Sequence, residues 1–174
     1  MPTLLTVGHG RLDRVDLGTL LSDAGVVRLV DIRRFPGSRA NPAVARDVLP
    51  QWLPEHGIAY EWEERLGGRR RLPAGEDPVD GWWRVQQFAA YAAHTRTPEF
   101  SAGLDEVLAG RAPVAVMCSE AVWWRCHRRL VADVVVLARG GTVGHLMHDG
   151  RITEHTPAEG ARLRDDGQLV WDGR

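Results

Sequence analysis

One continuous apolar run constrains the fold of this chain more than any other feature of its sequence. Residues 26–32 are interrupted only by Arg28 and, near the end, by Asp31, as is typical of a central parallel strand with both faces buried. A shorter β-rich run at residues 3–7 precedes it, and the apolar residues between Asp13 and Ala24 recur at near-helical spacing. This strand–helix–strand pattern predicts a βαβ unit with a right-handed crossover.

The rest of the chain continues the alternation of strand and helix patterns. A broken helix is predicted at residues 43–55, because Pro50 and Pro54 interrupt its pattern. Asp149-Gly150 is typical of a hairpin turn between two strands. The other predicted elements are strands at residues 58–62, 113–118, 142–147, 151–155 and 169–171, and helices at residues 81–94, 97–108 and 122–138.

We therefore predict a single α/β domain over residues 1–174, with a three-layer, Rossmann-like fold, a mainly parallel sheet of about five strands and a C-terminal hairpin. A strand order of 3-2-1-4-5 would place the loops after the first and fourth strands on either side of one crevice. Residues 156–174 are predicted to be a short polar tail. Residues 63–81 are predicted to be a long loop, whose three consecutive arginines either cover an anionic ligand or, as we favour, are solvated.

Charge and composition limit the classes of function. All 22 basic residues are arginines, as is typical of a genome biased toward arginine codons. The formal net charge is −1, so the composition does not predict a broad basic surface for nucleic-acid binding. A local basic cleft is still compatible with this net charge. No apolar run approaches about 18 residues and the N-terminal segment lacks a basic signal region, so we expect a cytoplasmic protein without membrane contact. The two cysteines, in a sequence without a signal peptide, also favour a reducing compartment.

Both cysteines lie in one strand-to-helix stretch, which makes it the candidate site. A predicted strand ends at Cys118 and is followed closely by Glu120. The next helical pattern opens with Cys126, His127 and Arg128, and a helix start with nearby cations lowers the pKa of a thiol. We predict a nucleophilic or redox cysteine, with Glu120 and His127 as acid/base or orienting groups. Two structural, buried cysteines are the alternative.

Metal binding is a second interpretation of the same residues. Thiolate and imidazole groups suit zinc or iron, and the ligands would be Cys118, Cys126 and His127. The Cys-x7-Cys-His spacing is not that of a zinc finger, and the sequence has no nucleotide-cofactor motif. A disulfide between the cysteines would make a redox switch, but their spacing does not favour it.

Polar residues after the other strands are expected to reach the same edge of the sheet. His9 lies between two glycines, which let backbone amides approach a ligand, and we predict it to be catalytic. Asp31 and Arg33 share one face of a strand end, either as a structural ion pair or as an anchor for an anionic group. The predicted substrate-binding residues are Asp31, Arg33, Ser38, Arg39, Arg128 and His145.

Two groups of aromatic residues are assigned to the core rather than to a ligand-stacking surface. The first group is Trp82 and Phe88, which share one predicted helical face with Val85, Ala89 and Ala92. The second is the pair Trp123-Trp124, which follows the candidate site.

Several short motifs occur in a characteristic order along the chain. They are Thr6-Val7-Gly8-His9, Val30-Asp31-Ile32-Arg33 with Pro36 and Ser38-Arg39, Leu66-Gly67-Gly68, Phe88-Ala89-Ala90-Tyr91-Ala92, Met117-Cys118-Ser119-Glu120, Cys126-His127-Arg128-Arg129 and Val143-Gly144-His145. Over residues 3–155 the sequence resembles the domain of unknown function 488 family, which consists of small bacterial and archaeal proteins. The resemblance implies an α/β fold with a cluster of polar motif residues, without implying a reaction. The chain departs from the family at Gly10, where serine is usual, and at residues 121–125, which are usually polar and contain proline.

The leading hypothesis is a cysteine-dependent enzyme that acts on an anionic substrate, with nucleotides and nucleic-acid backbones among the candidates. One alternative is a non-catalytic module that binds phosphate or nucleic acid and has structural cysteines. Another is a metal-binding protein that uses its cysteine and histidine ligands. The sequence predicts no particular reaction, substrate or oligomeric state.

Overall fold

The computed structural model describes residues 1–72, 74–75 and 79–174 and shows an α/β fold. The strands are β1 (Leu4–Gly8), β2 (Arg28–Asp31), β3 (Ala59–Trp62), β4 (Val114–Cys118), β5 (Val143–Leu146), β6 (Ile152–Glu154), β7 (Ala161–Leu163) and β8 (Leu169–Trp171). The helices are α1 (Arg14–Asp23), α2 (Leu49–Trp52), α3 (Gln86–His94), α4 (Pro98–Ala109) and α5 (Arg128–Asp133). Within the predicted long loop, residues 73 and 76–78 lie outside the described residues.

Six strands form one sheet in the order β3-β2-β4-β1-β5-β6. Neighbouring strands are parallel except β5 and β6, which form the predicted hairpin at Asp149-Gly150. The mainly parallel sheet is confirmed, but the predicted order 3-2-1-4-5 was wrong, because β4 lies between β1 and β2. Both β1 and β4 are buried along their whole length, so their apolar patterns carry no information about which of them adjoins β2. The ends of β1 and β4 are nevertheless adjacent, as expected.

Alternate residues of the central strands bury opposite faces of the sheet. Val114 and Val116 pack in a cluster with residues of α3, α4 and α5, whereas Ala115 and Met117 pack with residues of α1 and α2. The sheet is therefore the middle of three layers. This arrangement leaves the carboxyl ends of β1, β2 and β4 at one edge, where their following loops meet.

The predicted helix over residues 122–138 is divided into three parts. Trp123–Arg125 is a 3-10 turn, Cys126 has an extended backbone, and α5 begins only at Arg128 and continues into a π-helical turn at Val134–Ala138. The prediction that Cys126 lies in the first helical turn was therefore wrong. Apolar spacing continues across the extended residue, so periodicity does not reveal the interruption.

The predicted polar tail contributes to the core. Strands β7 and β8 pair as a second, antiparallel hairpin, which confirms the predicted last strand. Trp171 in β8 is fully buried, and its indole N–H donates to Asp133 Oδ2 at 2.8 Å. In the part of the chain that the structure describes, no helix combines the length and the apolar character that a membrane span requires.

Candidate active site

A cavity of about 300 Å³ lies at the carboxyl ends of β1, β2 and β4. Its size is that of a site for a small molecule. The described residues that line it are His9, Arg33, Arg34, Phe35, Gly37, Ser38, Gly68, Arg69, Gln87, Phe88, Tyr91, Cys118, Ser119, Glu120, Arg125, Cys126 and His127. The strand-end loops at His9, Arg33 and Cys118 therefore converge on one cavity, as the parallel sheet predicts.

Two buried thiols in mutual contact line this cavity. Cys118 is 3% exposed and Cys126 is 6% exposed, and their sulfur atoms are 2.6 Å apart. Cys126 Sγ also accepts a hydrogen bond from the backbone N–H of Arg128, at 3.5 Å. The strand that ends at Cys118 and the extended residue before α5 thus bring the two side chains together from opposite sides of the loop.

His127 is oriented so that one ring nitrogen faces a thiol. Its Nε2 is 3.1 Å from the carbonyl oxygen of Ile32, and its Nδ1 is 3.5 Å from Cys126 Sγ. A carbonyl only accepts hydrogen bonds, so we assign the ring proton to Nε2. Nδ1 is then free to accept the thiol proton of Cys126. The ring of Tyr91 packs edge-on against His127, with 4.9 Å between the ring centroids.

The two thiols have opposite pKa shifts. Burial opposes ionisation of Cys126, but the hydrogen bond with Cys118 and the nearby His127 and Arg128 outweigh burial and hold the pKa of Cys126 well below its ordinary value. Burial, and then the hydrogen bond and negative charge of Cys126, raise the pKa of Cys118 well above its ordinary value. These opposite shifts favour Cys126 over Cys118 as the thiol that ionises first.

Arg128 holds the loop that covers the end of β1. Its side chain is buried, and its Nη2 donates to the carbonyl oxygens of Glu120 at 2.6 Å and Ala121 at 3.4 Å. Its Nη1 donates to Thr6 Oγ1 at 3.3 Å. Among the described residues, Arg128 has no carboxylate partner, and its charge lowers the pKa of the nearby Cys126.

A buried network of side chains connects Arg128, at the start of α5, with Asp133, at its end. Thr6 Oγ1 lies 2.6 Å from His145 Nδ1, and His145 Nε2 lies 2.8 Å from His155 Nδ1. His155 Nε2 lies 2.6 Å from Asp133 Oδ1. Arg128 can only donate and a carboxylate only accepts, so with neutral rings every hydrogen bond points from Arg128 toward Asp133. Burial, His155 and Arg128 lower the pKa of His145 to about 3, in agreement with a neutral ring.

Replacing Thr6 with valine tests this network. The change keeps the side-chain volume but leaves Arg128 Nη1 without its acceptor and His145 Nδ1 without its donor, so we expect the free energy of unfolding to fall by about 2 kcal/mol. Thr6→Ser keeps the hydroxyl and removes one methyl group, and should cost about 1 kcal/mol. Urea denaturation measures both variants. An equal or larger loss for Thr6→Ser would show that the hydroxyl is not the important group.

Asp31 and Arg33 form a buried, bidentate ion pair rather than two free ligand anchors. Arg33 Nε and Nη2 donate to the two carboxylate oxygens at 2.8 Å and 2.6 Å, and Tyr60 donates its hydroxyl to Asp31 Oδ2 at 2.6 Å. Arg33 also donates to Val44 O at 2.6 Å through Nη2. Only part of the Arg33 guanidinium remains to face the cavity.

His9 is held as a neutral ring between two partners. Arg33 Nη1 is 3.3 Å from His9 Nε2, which must accept because a guanidinium only donates. The other nitrogen, Nδ1, donates to the carbonyl oxygen of Gly10 at 2.9 Å. Burial, which outweighs the effect of the Gly10 hydrogen bond, and then the charge of Arg33 lower the pKa of His9. Both ring nitrogens form hydrogen bonds, so His9 holds Arg33 in position.

The mouth of the cavity carries more positive than negative side chains. Arg69 and Arg125 are exposed there, and Arg34 is half-buried. Glu120 is the single acidic side chain among the described lining residues, and its carboxylate accepts from the backbone N–H of Val122 at 3.1 Å. The guanidinium groups of Arg34 and Arg69 lie 5.5 Å and 5.7 Å from the ring centroid of the exposed Phe35. This surface suits an anionic ligand with an apolar portion.

Some predicted residues lie elsewhere. Ser38 lines the cavity, but its hydroxyl accepts from the backbone N–H of Asn41 at 3.0 Å. Arg39 is exposed and is not a lining residue. His145 and Arg128 are buried in the network behind the thiols. Trp123 packs inward and stacks on His145, with 4.1 Å between ring centroids, whereas Trp124 is exposed.

Two other residues of the site, Tyr91 and Gly68, were not predicted as site residues. Tyr91, which supports His127, is fully buried and donates its hydroxyl to Leu66 O at 2.6 Å. A Cβ atom at Gly68 would lie 3.1 Å from His127 Nδ1, so this glycine makes room for the imidazole. The consecutive glycines were a usable signal for a close approach, whereas Tyr91 belongs to an ordinary helical pattern.

The metal interpretation does not fit the described residues. No group of three or more histidine, cysteine, aspartate or glutamate side chains within them is arranged to hold a metal ion. The predicted ligands Cys118, Cys126 and His127 do not form such a group. Their geometry instead pairs a thiol with an imidazole and with a second thiol.

Comparisons with known proteins give a family without a reaction. Neither the comparison with curated proteins nor that with solved structures yields a match. A family model matches residues 13–135, a segment that contains both cysteines, His127 and Arg128. Because this segment is more than half of the chain, the chain belongs to the family described as Domain of unknown function DUF488.

Proposed function

We propose that the protein is a thiol-dependent enzyme in which Cys126 attacks a small anionic substrate. The observation that carries the proposal is the contact of Cys126 Sγ with Cys118 Sγ and with His127 Nδ1 inside a cavity. A nucleophilic cysteine beside a base that is itself oriented by a third group is a recurring arrangement for covalent catalysis. Here the third group is the backbone carbonyl of Ile32.

Each neighbouring group has a defined part in this proposal. His127 Nδ1 takes the thiol proton and later returns it to a leaving group. Arg128 stabilises the thiolate by its charge and holds the loop around Glu120 in place. Glu120 orients that loop through Val122, and His9 keeps Arg33 in position. The arginines at the mouth attract and hold the anionic substrate.

The pH dependence of alkylation by iodoacetamide tests the nucleophile. Alkylation requires the thiolate, which is present above the pKa of the thiol and lost as the pH falls through it. In Cys118→Ala, only Cys126 remains. The hydrogen bond with Cys118 is lost, but His127 and Arg128 still lower the pKa of Cys126, so we expect alkylation to persist at about pH 6.5, below the ordinary thiol pKa of about 8.5. In Cys126→Ala, only the buried Cys118 remains, and its rate should be at least about tenfold lower at that pH.

Iodoacetate, an anionic alkylating agent, tests the mouth of the cavity. We expect Arg125→Gln to slow alkylation by iodoacetate more than alkylation by neutral iodoacetamide, because it removes an exposed cation from the entrance. Arg111→Gln is the matched control, since Arg111 is exposed near the amino end of β4, at the opposite edge of the sheet.

The opposite result would favour a non-catalytic module. Its signature would be a Cys126 pKa at the ordinary value, together with salt-sensitive binding of phosphate or an oligonucleotide that survives replacement of both cysteines.

A reducing compartment, as the sequence predicts, would keep both cysteines available as thiols.

A further inference from the structure

The second cysteine gives the site a chemistry that a single nucleophile would lack. Cys118 is buried beside Cys126, lines the same cavity and contacts its sulfur directly. Cys118 lowers the pKa of Cys126 through a hydrogen bond, but a hydroxyl group could do the same, so this role alone does not explain why the neighbour is a thiol. A thiol at this position is placed to attack any sulfur adduct that forms on Cys126.

We propose that Cys126 and Cys118 form a nucleophile and resolving pair that reduces small anionic disulfides, which rests on the proposed function of Cys126. The two sulfur atoms already touch, so an intramolecular disulfide requires only a small movement of the side chains. Both cysteines are free in this structure, as the first step of the proposed reaction requires.

The reaction balances in two exchange steps. The thiolate of Cys126 attacks one sulfur of the substrate disulfide, forming a mixed disulfide and releasing the first substrate thiolate, which takes a proton from His127. Cys118 then loses its proton to His127 and attacks Cys126 Sγ, which releases the second substrate thiolate and forms the Cys118–Cys126 disulfide. The second substrate thiolate takes that proton from His127. Two electrons pass from the protein dithiol to the substrate disulfide, which becomes two thiols. A cellular thiol reductant of low molecular weight would restore the dithiol by the reverse exchange.

The choice of an anionic, low-molecular-weight disulfide follows from the cavity. Its volume of about 300 Å³ accommodates one half of such a molecule and excludes a folded protein. Arg69 and Arg125 would bind carboxylate groups on the substrate, and Phe35 offers an exposed apolar surface beside Arg69. A cationic disulfide would meet only Glu120 as an acidic lining residue among those described.

Three disulfides of different charge test the proposal on the reduced, full-length protein. They are glutathione disulfide, which is anionic, 2-hydroxyethyl disulfide, which is neutral, and cystamine, which is cationic. Each rate is divided by the rate of free dithiothreitol with the same disulfide, so that intrinsic reactivity cancels. We expect the normalised rate with glutathione disulfide to exceed the rate with cystamine by at least about tenfold, and Arg125→Gln to reduce this preference.

Intact-mass measurement identifies the products and separates the two proposals. The wild-type protein should lose two hydrogens and retain no glutathione, whereas Cys118→Ser should stop at a glutathione adduct on Cys126. A stable glutathione adduct on the wild-type protein, or no oxidation although Cys126 is alkylated at low pH, would overturn the resolving role and leave the nucleophile intact. Failure of alkylation at low pH would instead overturn the proposed function itself. Cys118→Ala serves as a second variant if Cys118→Ser does not fold.

Discussion

Asp31→Asn should lower the free energy of unfolding by about 3 kcal/mol, because it leaves the buried Arg33 cation without its counter-charge. Asp31 is fully buried and Arg33 is 7% exposed, so water cannot replace the lost carboxylate. The same change weakens the hydrogen bond from Tyr60 and the position of Arg33 beside His9. Urea denaturation of the purified variant measures the loss.

Asp149→Asn is the matched control for this prediction. Asp149 forms an ion pair with Arg151 at 2.7 Å, close to the 2.6 Å between Asp31 and Arg33, but both of its side chains are largely exposed to solvent. An exposed pair contributes little to stability, so this variant should unfold at the wild-type urea concentration. If both variants changed stability equally, burial would not be the reason for the importance of the Asp31–Arg33 pair.

Gly8→Ala should destabilise the protein by about 3 kcal/mol and reduce the alkylation rate of Cys126. A Cβ atom at position 8 would lie 1.8 Å from the carbonyl oxygen of Glu120 and 2.9 Å from Cα of Ala121. These are backbone atoms, so a side-chain rotation cannot relieve the overlap. The loop that Arg128 holds would have to move away from the end of β1 and would carry the surroundings of Cys126 with it.

Gly81→Ala provides the control for the glycine substitution. A Cβ atom at Gly81 has no described neighbour within 4 Å, and its backbone does not require a positive φ. We expect no loss of stability and an unchanged alkylation profile. Thermal unfolding and iodoacetamide kinetics compare the two variants directly, and wild-type behaviour of Gly8→Ala would show that the loop tolerates displacement.

The sequence predicted the sheet and the convergence of the strand-end loops because both follow from local patterns. Alternating strand and helix runs imply parallel strands, and parallel strands bring residues such as His9, Arg33 and Cys118 to one edge. The order of the strands in the sheet does not follow from local patterns. It depends on how each crossover packs, so the position of β4 between β1 and β2 was not visible in its apolar residues.

The roles of individual polar residues were harder to predict than their location. Arg128 was expected to bind substrate, yet its partners are carbonyl oxygens and a hydroxyl, groups that leave no distinctive pattern in a sequence. Thr6 and His145 are 139 positions apart, and their hydrogen bond exists only because β1 and β5 are neighbours. Cys126 was assigned to a helix although its extended backbone is what directs it toward Cys118.

The one-way direction of the buried network also restricts how this protein can change during evolution. Each member accepts on one side and donates on the other, between Arg128, which only donates, and Asp133, which only accepts. Replacing one member by a residue that lacks its donor or its acceptor would leave a donor facing a donor, or a buried polar atom without a partner. Single changes in this interior layer are therefore restricted to residues that keep the same donor and acceptor, as serine does at position 6, whereas the exposed arginines at the mouth have no such restriction.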